Sequence, residues 1–166
     1  MDTVIKILAD YLIAPVGLLA LWLLFFKAPK RNRYDKYARV LMAGLTSYLL
    51  AKVIGNLWQP ETVRPFEKMH VQPLASYLGN AGFPSDHVLF AMYLTLAVWY
   101  VTRRKGWVIT MAVLTAAIAA GRLLALVHSP LDVAGSVVVA ALGALWYVGY
   151  AKNTPSKTGE KIKQSV

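Results

Sequence analysis

The chain has 166 residues, 57% of them hydrophobic and 16% charged, with a positive mean hydropathy and no cysteine. Soluble domains of this length carry about a quarter charged residues, so the balance argues for a membrane protein, and one of this length for a single domain. The missing cysteines exclude disulfides and thiolate metal sites, and the net charge of +10 leaves nucleic acid to be weighed against the placement of the charges.

A membrane-crossing helix needs about 20 mostly apolar residues, and five segments approach that length: residues 4–26, 38–58, 85–102, 106–127 and 130–150. The first carries Lys6 and Asp10 near its start. It is followed by Lys27-Ala28-Pro29-Lys30 without a small-residue cleavage site, so it reads as a retained span rather than a signal peptide. The second is interrupted only by Lys52, and the third is short, beginning at Ser85 and Asp86. Each run is too uniformly apolar for the one-sided pattern of a soluble helix. The predicted fold class is therefore all-α, a polytopic membrane helix bundle of about five transmembrane helices. Residues 1–151 form one membrane-embedded domain, and residues 152–166 a basic, disordered tail.

Basic residues crowd three places: the link over residues 27–39, Arg103-Arg104-Lys105, and the tail with Lys152, Lys157, Lys161 and Lys163. These account for the entire net charge. Short basic loops stay cytoplasmic, which puts the amino terminus outside and the tail inside. The basic excess is then a topology signal and a contact for anionic lipid, and no nucleic-acid partner is expected. In this topology the ends of the second and fourth spans and the starts of the third and fifth share the outer face.

The outer segment over residues 59–84 is longer than the roughly 12–15 residues beyond which connections are functional or disordered. It mixes Pro60, Pro65 and Pro73 with Phe66, Met69, Val71, Leu74, Tyr77 and Leu78. A short interfacial helix is predicted to begin near Pro73, with Gly79, Gly82 and Pro84 turning the chain into the third span.

Three polar clusters fall on that outer face: Arg64-Pro65-Phe66, Phe83-Pro84-Ser85-Asp86-His87, and Arg122 with His128 and Asp132. An arginine inside a span costs about 2.5–3.5 kcal/mol even on the lenient insertion scale, so Arg122 marks a functional site unless it snorkels from the helix end. The same two readings apply to Lys52. Ser129 and Pro130 suit an N-cap and first helical position, and Asp132 then lies in the first turn, where the helix dipole favours a carboxylate. His128 stands just before that cap; a carboxylate on one ring nitrogen fixes the tautomer and frees the other to attack. Ser85 can cap the third span, whose free N–H groups suit a phosphate, and His87 can give a proton to a leaving oxygen. Asp86 reads either as a second capping acid or as a residue that orients a neighbour. Arg64 offers a planar fork for phosphate oxygens, or is simply solvated.

Together these clusters resemble the three signature motifs of the type-2 phosphatidic acid phosphatase family, membrane relatives of vanadium haloperoxidases. The family pattern is lysine with Arg-Pro, then Pro-Ser-Gly-His, then Ser-Arg, five residues, His, three residues, Asp. Arg64-Pro65, Pro84-Ser85-Asp86-His87, and Arg122, His128 and Asp132 match it, across about residues 52–135. Lys52 lies further from Arg64 than the family lysine usually does, Gly121 stands where the family has serine, and Asp86 where it has glycine. The Phe-Pro-Ser-Asp-His form is similar to the bacterial undecaprenyl-diphosphatase subgroup. The family core usually has six spans, one more than the five found here.

The resemblance implies that His128 is the nucleophile, oriented by Asp132, and that His87 is the general acid. It implies that Arg64, Arg122, Ser85 and Lys52 hold phosphate oxygens, with no metal and no cofactor and with activity that survives chelation. The expected substrate is a polyprenyl diphosphate, converted to the monophosphate in a cell membrane with the site on the extracytoplasmic face. The expected partners are that lipid phosphate or diphosphate and the surrounding membrane lipids. Two other readings stay open: the same chemistry on phosphatidic acid or phosphatidylglycerophosphate, and a non-catalytic membrane protein that binds anions. The last needs the cations but has no use for an imidazole beside a carboxylate.

Overall fold

The structure, a computed structural model, describes residues 1–79 and 82–148. Among them there are helices and no strands. Helix α1 spans Asp2–Phe26 and contains a π-helical turn at Ile7–Tyr11. Helix α2 spans Arg33–Leu57, α3 is the single turn Pro65–Lys68, and α4 spans Asp86–Thr102. Helix α5 spans Lys105–Leu124 and α6 spans Pro130–Tyr147, closing in a 3-10 turn over Ala144–Tyr147. The all-α bundle expected from the sequence is present. The tail over residues 152–166, the domain boundary at 151 and the last residues of the fifth expected span lie outside the described residues.

Four helices, α1, α2, α5 and α6, are long and apolar enough to cross a membrane. Helix α4 has only 17 residues, and it forms the middle of the bundle, packed by α1, α5 and α6. Its buried Val88, Ala91, Leu94, Val98 and Val101 join Val16, Leu23, Met111 and Ile118 in one core. Burial on most sides lets a short helix serve at membrane depth, because protein rather than lipid surrounds it. Leu18, Leu21, Phe25, Leu41, Leu45, Ile109 and Val113 stay exposed on the outer helices, an apolar surface suited to lipid.

Lipid is as apolar as leucine, so close backbone approach holds such helices together. A Cβ on Gly143 of α6 would meet the Ala43 carbonyl oxygen of α2 at 2.6 Å, and the Gly135 Cβ position falls on the Phe83 ring. The small residues of the last span thus serve contacts inside the chain. At the far end of the bundle Arg103 adopts φ 53° and ends α4, and α5 starts two residues later.

Two local expectations are corrected. No helix begins at Pro73; among the described residues of the outer segment the one helical turn starts at Pro65, where Glu67 reaches back to the Arg64 amide at 3.0 Å. The residues after it spend their backbone groups on neighbours instead: Leu74 N–H on the Ala125 carbonyl at 3.4 Å, and the Leu78 carbonyl on Arg64 at 3.0 Å. Helix α5 also stops at Leu124, not at Val127, and Leu126 turns at φ 59°. That early stop leaves residues 125–129 as a short link carrying His128.

Candidate active site

All three clusters meet at one end of the bundle. Arg64, Asp86, His87, Arg122 and His128 line a single cavity of about 250 Å³, walled on the outer side by Ser76, Tyr77 and Leu78. His87 comes from the first turn of α4 and His128 from the link between α5 and α6, and they line the same space.

His128 is buried and held from both sides of its ring. Nδ1 lies 3.4 Å from Asp132 Oδ2, a close approach without the alignment of a good hydrogen bond. Nε2 lies 3.3 Å from Arg122 Nη2. A guanidinium only donates, so Nε2 must present its lone pair there and Nδ1 must carry the proton toward Asp132. Burial, reinforced by Arg122 and Arg64, lowers the His128 pKa below its ordinary value against the opposing bond to Asp132. The imidazole is therefore neutral at neutral pH, with its one lone pair on Nε2, beside Arg122.

Asp132 is positioned by the start of α6. Ser129 is the N-cap, its hydroxyl accepts from the Asp132 amide at 3.3 Å, and Asp132 Oδ2 accepts from the Ser129 amide at 2.8 Å. This capping box fixes the carboxylate and the helix start together. One carboxylate therefore both caps the helix and approaches His128.

Arg64 is buried at the start of α3, its guanidinium donating to the Val127 and Leu78 carbonyls and lying over the Tyr77 ring. Gly82, at φ 97°, lets the chain pass close by; a Cβ there would come within 3.3 Å of that guanidinium. Burial lowers the Arg64 pKa and Asp132 pulls the other way, and the group stays charged at neutral pH.

Ser85 occupies the N-cap position of α4, but its hydroxyl makes no capping bond. That hydroxyl is wholly buried and, among the described residues, has no hydrogen-bond partner; the same holds for Arg122 Nε. Its backbone instead ties α4 to α6, the amide reaching the Asp132 carbonyl at 3.4 Å and the carbonyl accepting from Ser136 at 2.9 Å.

Lys52 is not in the cavity lining. Its ammonium sits 3.2 Å from both oxygens of Asp86, with both side chains more than 40% exposed. Asp86 thus orients a neighbour and does not cap. The pair stands at the rim, where the cavity adjoins an apolar groove of about 620 Å³ between α2 and α4. Among the described residues no group of three or more His, Asp or Glu is gathered as a metal site would need.

One charged residue of the site was left aside by the sequence reading. Asp10, on the π turn of α1, accepts from Arg122 Nη1 at 2.9 Å and from the Ser76 amide at 2.8 Å. The available signal was an acid inside an apolar span, which is costly unless it is paired.

The family model for the PAP2 superfamily matches residues 34–155. The chain belongs to that superfamily. It is 29% identical over 144 residues to the undecaprenyl-diphosphatase BcrC of Bacillus subtilis (strain 168), covering 86% of this chain and 70% of the relative. It is 28% identical over 151 residues to the bacitracin transport permease protein BcrC of Bacillus licheniformis, covering 88% of this chain and 70% of that relative. No solved structure gives a significant match. With the superfamily, the site and the apolar helices agree: this is a membrane phosphatase.

Proposed function

We propose that the chain hydrolyses a polyprenyl diphosphate to its monophosphate at this cavity. His128 Nε2 attacks the terminal phosphorus, and the bond from phosphorus to the bridging oxygen breaks. His87 protonates that oxygen as the lipid monophosphate leaves. Water then attacks the phosphohistidine, giving its proton back to His87 and releasing inorganic phosphate and neutral His128. Arg64, Arg122 and Ser85 hold the non-bridging oxygens, where positioned donors supply most of the rate in a loose transition state. Lys52 adds its charge from the rim, on the side nearer the lipid.

The observation that carries this reading is the pairing of His128 with Asp132 on one ring nitrogen and with Arg122 at the other. A protein that only bound anions would need the cations and no such arrangement. Among the described residues the buried Ser85 hydroxyl and Arg122 Nε have no hydrogen-bond partner, which leaves two donors for an incoming oxyanion. The diphosphate is favoured over a glycerophospholipid by the name of the B. subtilis relative and by the Phe-Pro-Ser-Asp-His motif. The adjoining groove suits the hydrocarbon chain. The basic links over 27–39 and 103–105 set the orientation in a cell membrane: the cavity faces outward and the tail lies in the cytoplasm.

Phosphate release by the purified chain from undecaprenyl diphosphate, phosphatidic acid and phosphatidylglycerophosphate tests the substrate. The expected result is preference for the diphosphate and no release by His128→Ala. Preference for a glycerolipid overturns the substrate. Anion binding retained by His128→Ala, with no hydrolysis in either form, overturns the enzyme reading.

A further inference from the structure

Helix α1 lies outside the residues matched by the superfamily model, yet it supplies a carboxylate to the site. We propose that Asp10 is a positioning residue for Arg122, taking the structural place that the motif serine leaves open in this chain. The inference rests on the reading above only in needing Arg122 to hold phosphate.

Four observations carry it. The pair is almost fully enclosed, with the Arg122 side chain 3% and the Asp10 side chain 10% exposed. An acid and a base at this depth persist because each satisfies the other. Second, the two arms of Arg122 are divided: Nη1 donates to Asp10 at 2.9 Å, and Nη2 stands 3.3 Å from His128 Nε2. Fixing one arm of a planar fork fixes the other, so the Asp10 carboxylate sets where the guanidinium meets the reacting nitrogen.

Third, α1 is built to reach. The Leu12 amide bonds the Ile7 carbonyl at 2.9 Å, five residues back, and the widened turn carries Asp10. Such π turns are rare and cluster at functional sites. Fourth, Gly121 lets that turn lie directly on α5: a Cβ there would meet Ala9 N at 2.7 Å and Leu8 C at 2.8 Å. Gly121 is the position where the family motif has serine. A serine side chain would occupy the space through which the Asp10 turn approaches Arg122.

The second Asp10 oxygen takes the Ser76 amide at 2.8 Å, and Ser76 belongs to the outer wall of the cavity. One carboxylate therefore joins the first helix, the phosphate-holding arginine and the segment that covers the site.

The test is a double-substitution cycle on the full chain in detergent, with Asp10→Asn, Arg122→Gln and the two combined. Turnover of undecaprenyl diphosphate is measured beside calorimetric binding of inorganic phosphate. Asp10→Asn is expected to lower kcat by about 10²-fold, the scale of a 1 Å misplacement, with KM changed less than about threefold. In the Arg122→Gln background the same change should cost less than about twofold, because the residue it acts through is gone. Phosphate affinity should follow the same pattern. A kcat within threefold of the parent, or losses that multiply in the combined variant, overturns the proposal. If Asp10→Asn fails to fold, Asp10→Glu keeps the charge, displaces the carboxylate by one methylene and is read in the same cycle. A parent that binds phosphate without cleaving the diphosphate overturns the substrate reading and leaves the binding cycle to judge Asp10. A parent that binds no phosphate overturns both.

Discussion

Restoring the family's serine at position 121 should damage this enzyme. In Gly121→Ser the new Cβ would stand 2.8 Å from the Leu8 carbonyl carbon and 2.7 Å from the Ala9 nitrogen. Both are backbone atoms, so no side chain can swing aside. Ordinary contact begins near 3.4 Å, and α1 must retreat by about 0.7 Å. The same retreat carries the Asp10 contact with Arg122 from 2.9 Å to about 3.6 Å, past the edge of hydrogen bonding. Overpacking of this kind costs about 1–3 kcal/mol of stability. A displacement of that size at a phosphate-holding arginine costs roughly 10- to 100-fold in turnover. Phosphate release and a thermal unfolding midpoint, measured on the same preparation, report the two effects. Unchanged turnover with an unchanged midpoint would refute the claim that Gly121 sets the distance between α1 and α5.

The remaining predictions concern the proposed nucleophile and the rim. Asp132→Asn should cost about 10³-fold or more in kcat, because an amide no longer selects the tautomer with Nδ1 protonated; steady-state kinetics showing less than a tenfold loss would count against it. The His128 ring should titrate below 6.5, since burial outweighs the bond to Asp132, and histidine-selective NMR gives the midpoint directly. The sign follows: a base with a depressed folded pKa contributes stability above about pH 6.5 that is lost as the pH falls through the folded value. Attack by Nε2 should fail over the same range, and a midpoint above 6.5 would contradict the burial. Lys52→Met should raise KM by a few fold with little change in kcat, as expected of an exposed rim cation already paired with Asp86; a large loss of kcat would put Lys52 at the reacting phosphate instead.

The helices and the convergence of the clusters were legible because both follow from local rules. Apolar length gives a span, and charge between spans gives a side, so Arg64, His87, Arg122, His128 and Asp132 fell on one face before any packing was known. What escaped depends on packing. Ser85 had the residue type and position of a cap, yet its hydroxyl makes no capping bond at the crowded junction of α4 with α6. Pro73 and Pro65 were equally suited to open a helix; Glu67, three residues after Arg64, favoured Pro65. The pairing of Lys52 with Asp86 joins residues 34 apart, and spacing along the chain carries no trace of it. Asp10 was visible as an acid in an apolar run, but a π turn has no composition of its own. Its partner could be found only with α1 and α5 laid side by side.

The first helix has a practical consequence for anyone preparing this protein. Domain boundaries taken from the superfamily match would begin at residue 34 and yield a tidy fragment that keeps every motif. That fragment would lack Asp10 and, with it, the anchor of both Arg122 and Ser76. Affinity tags, fusions and trimming should be kept away from residues 2–12, whose Asp10 holds both an arginine of the cavity lining and the segment that walls it.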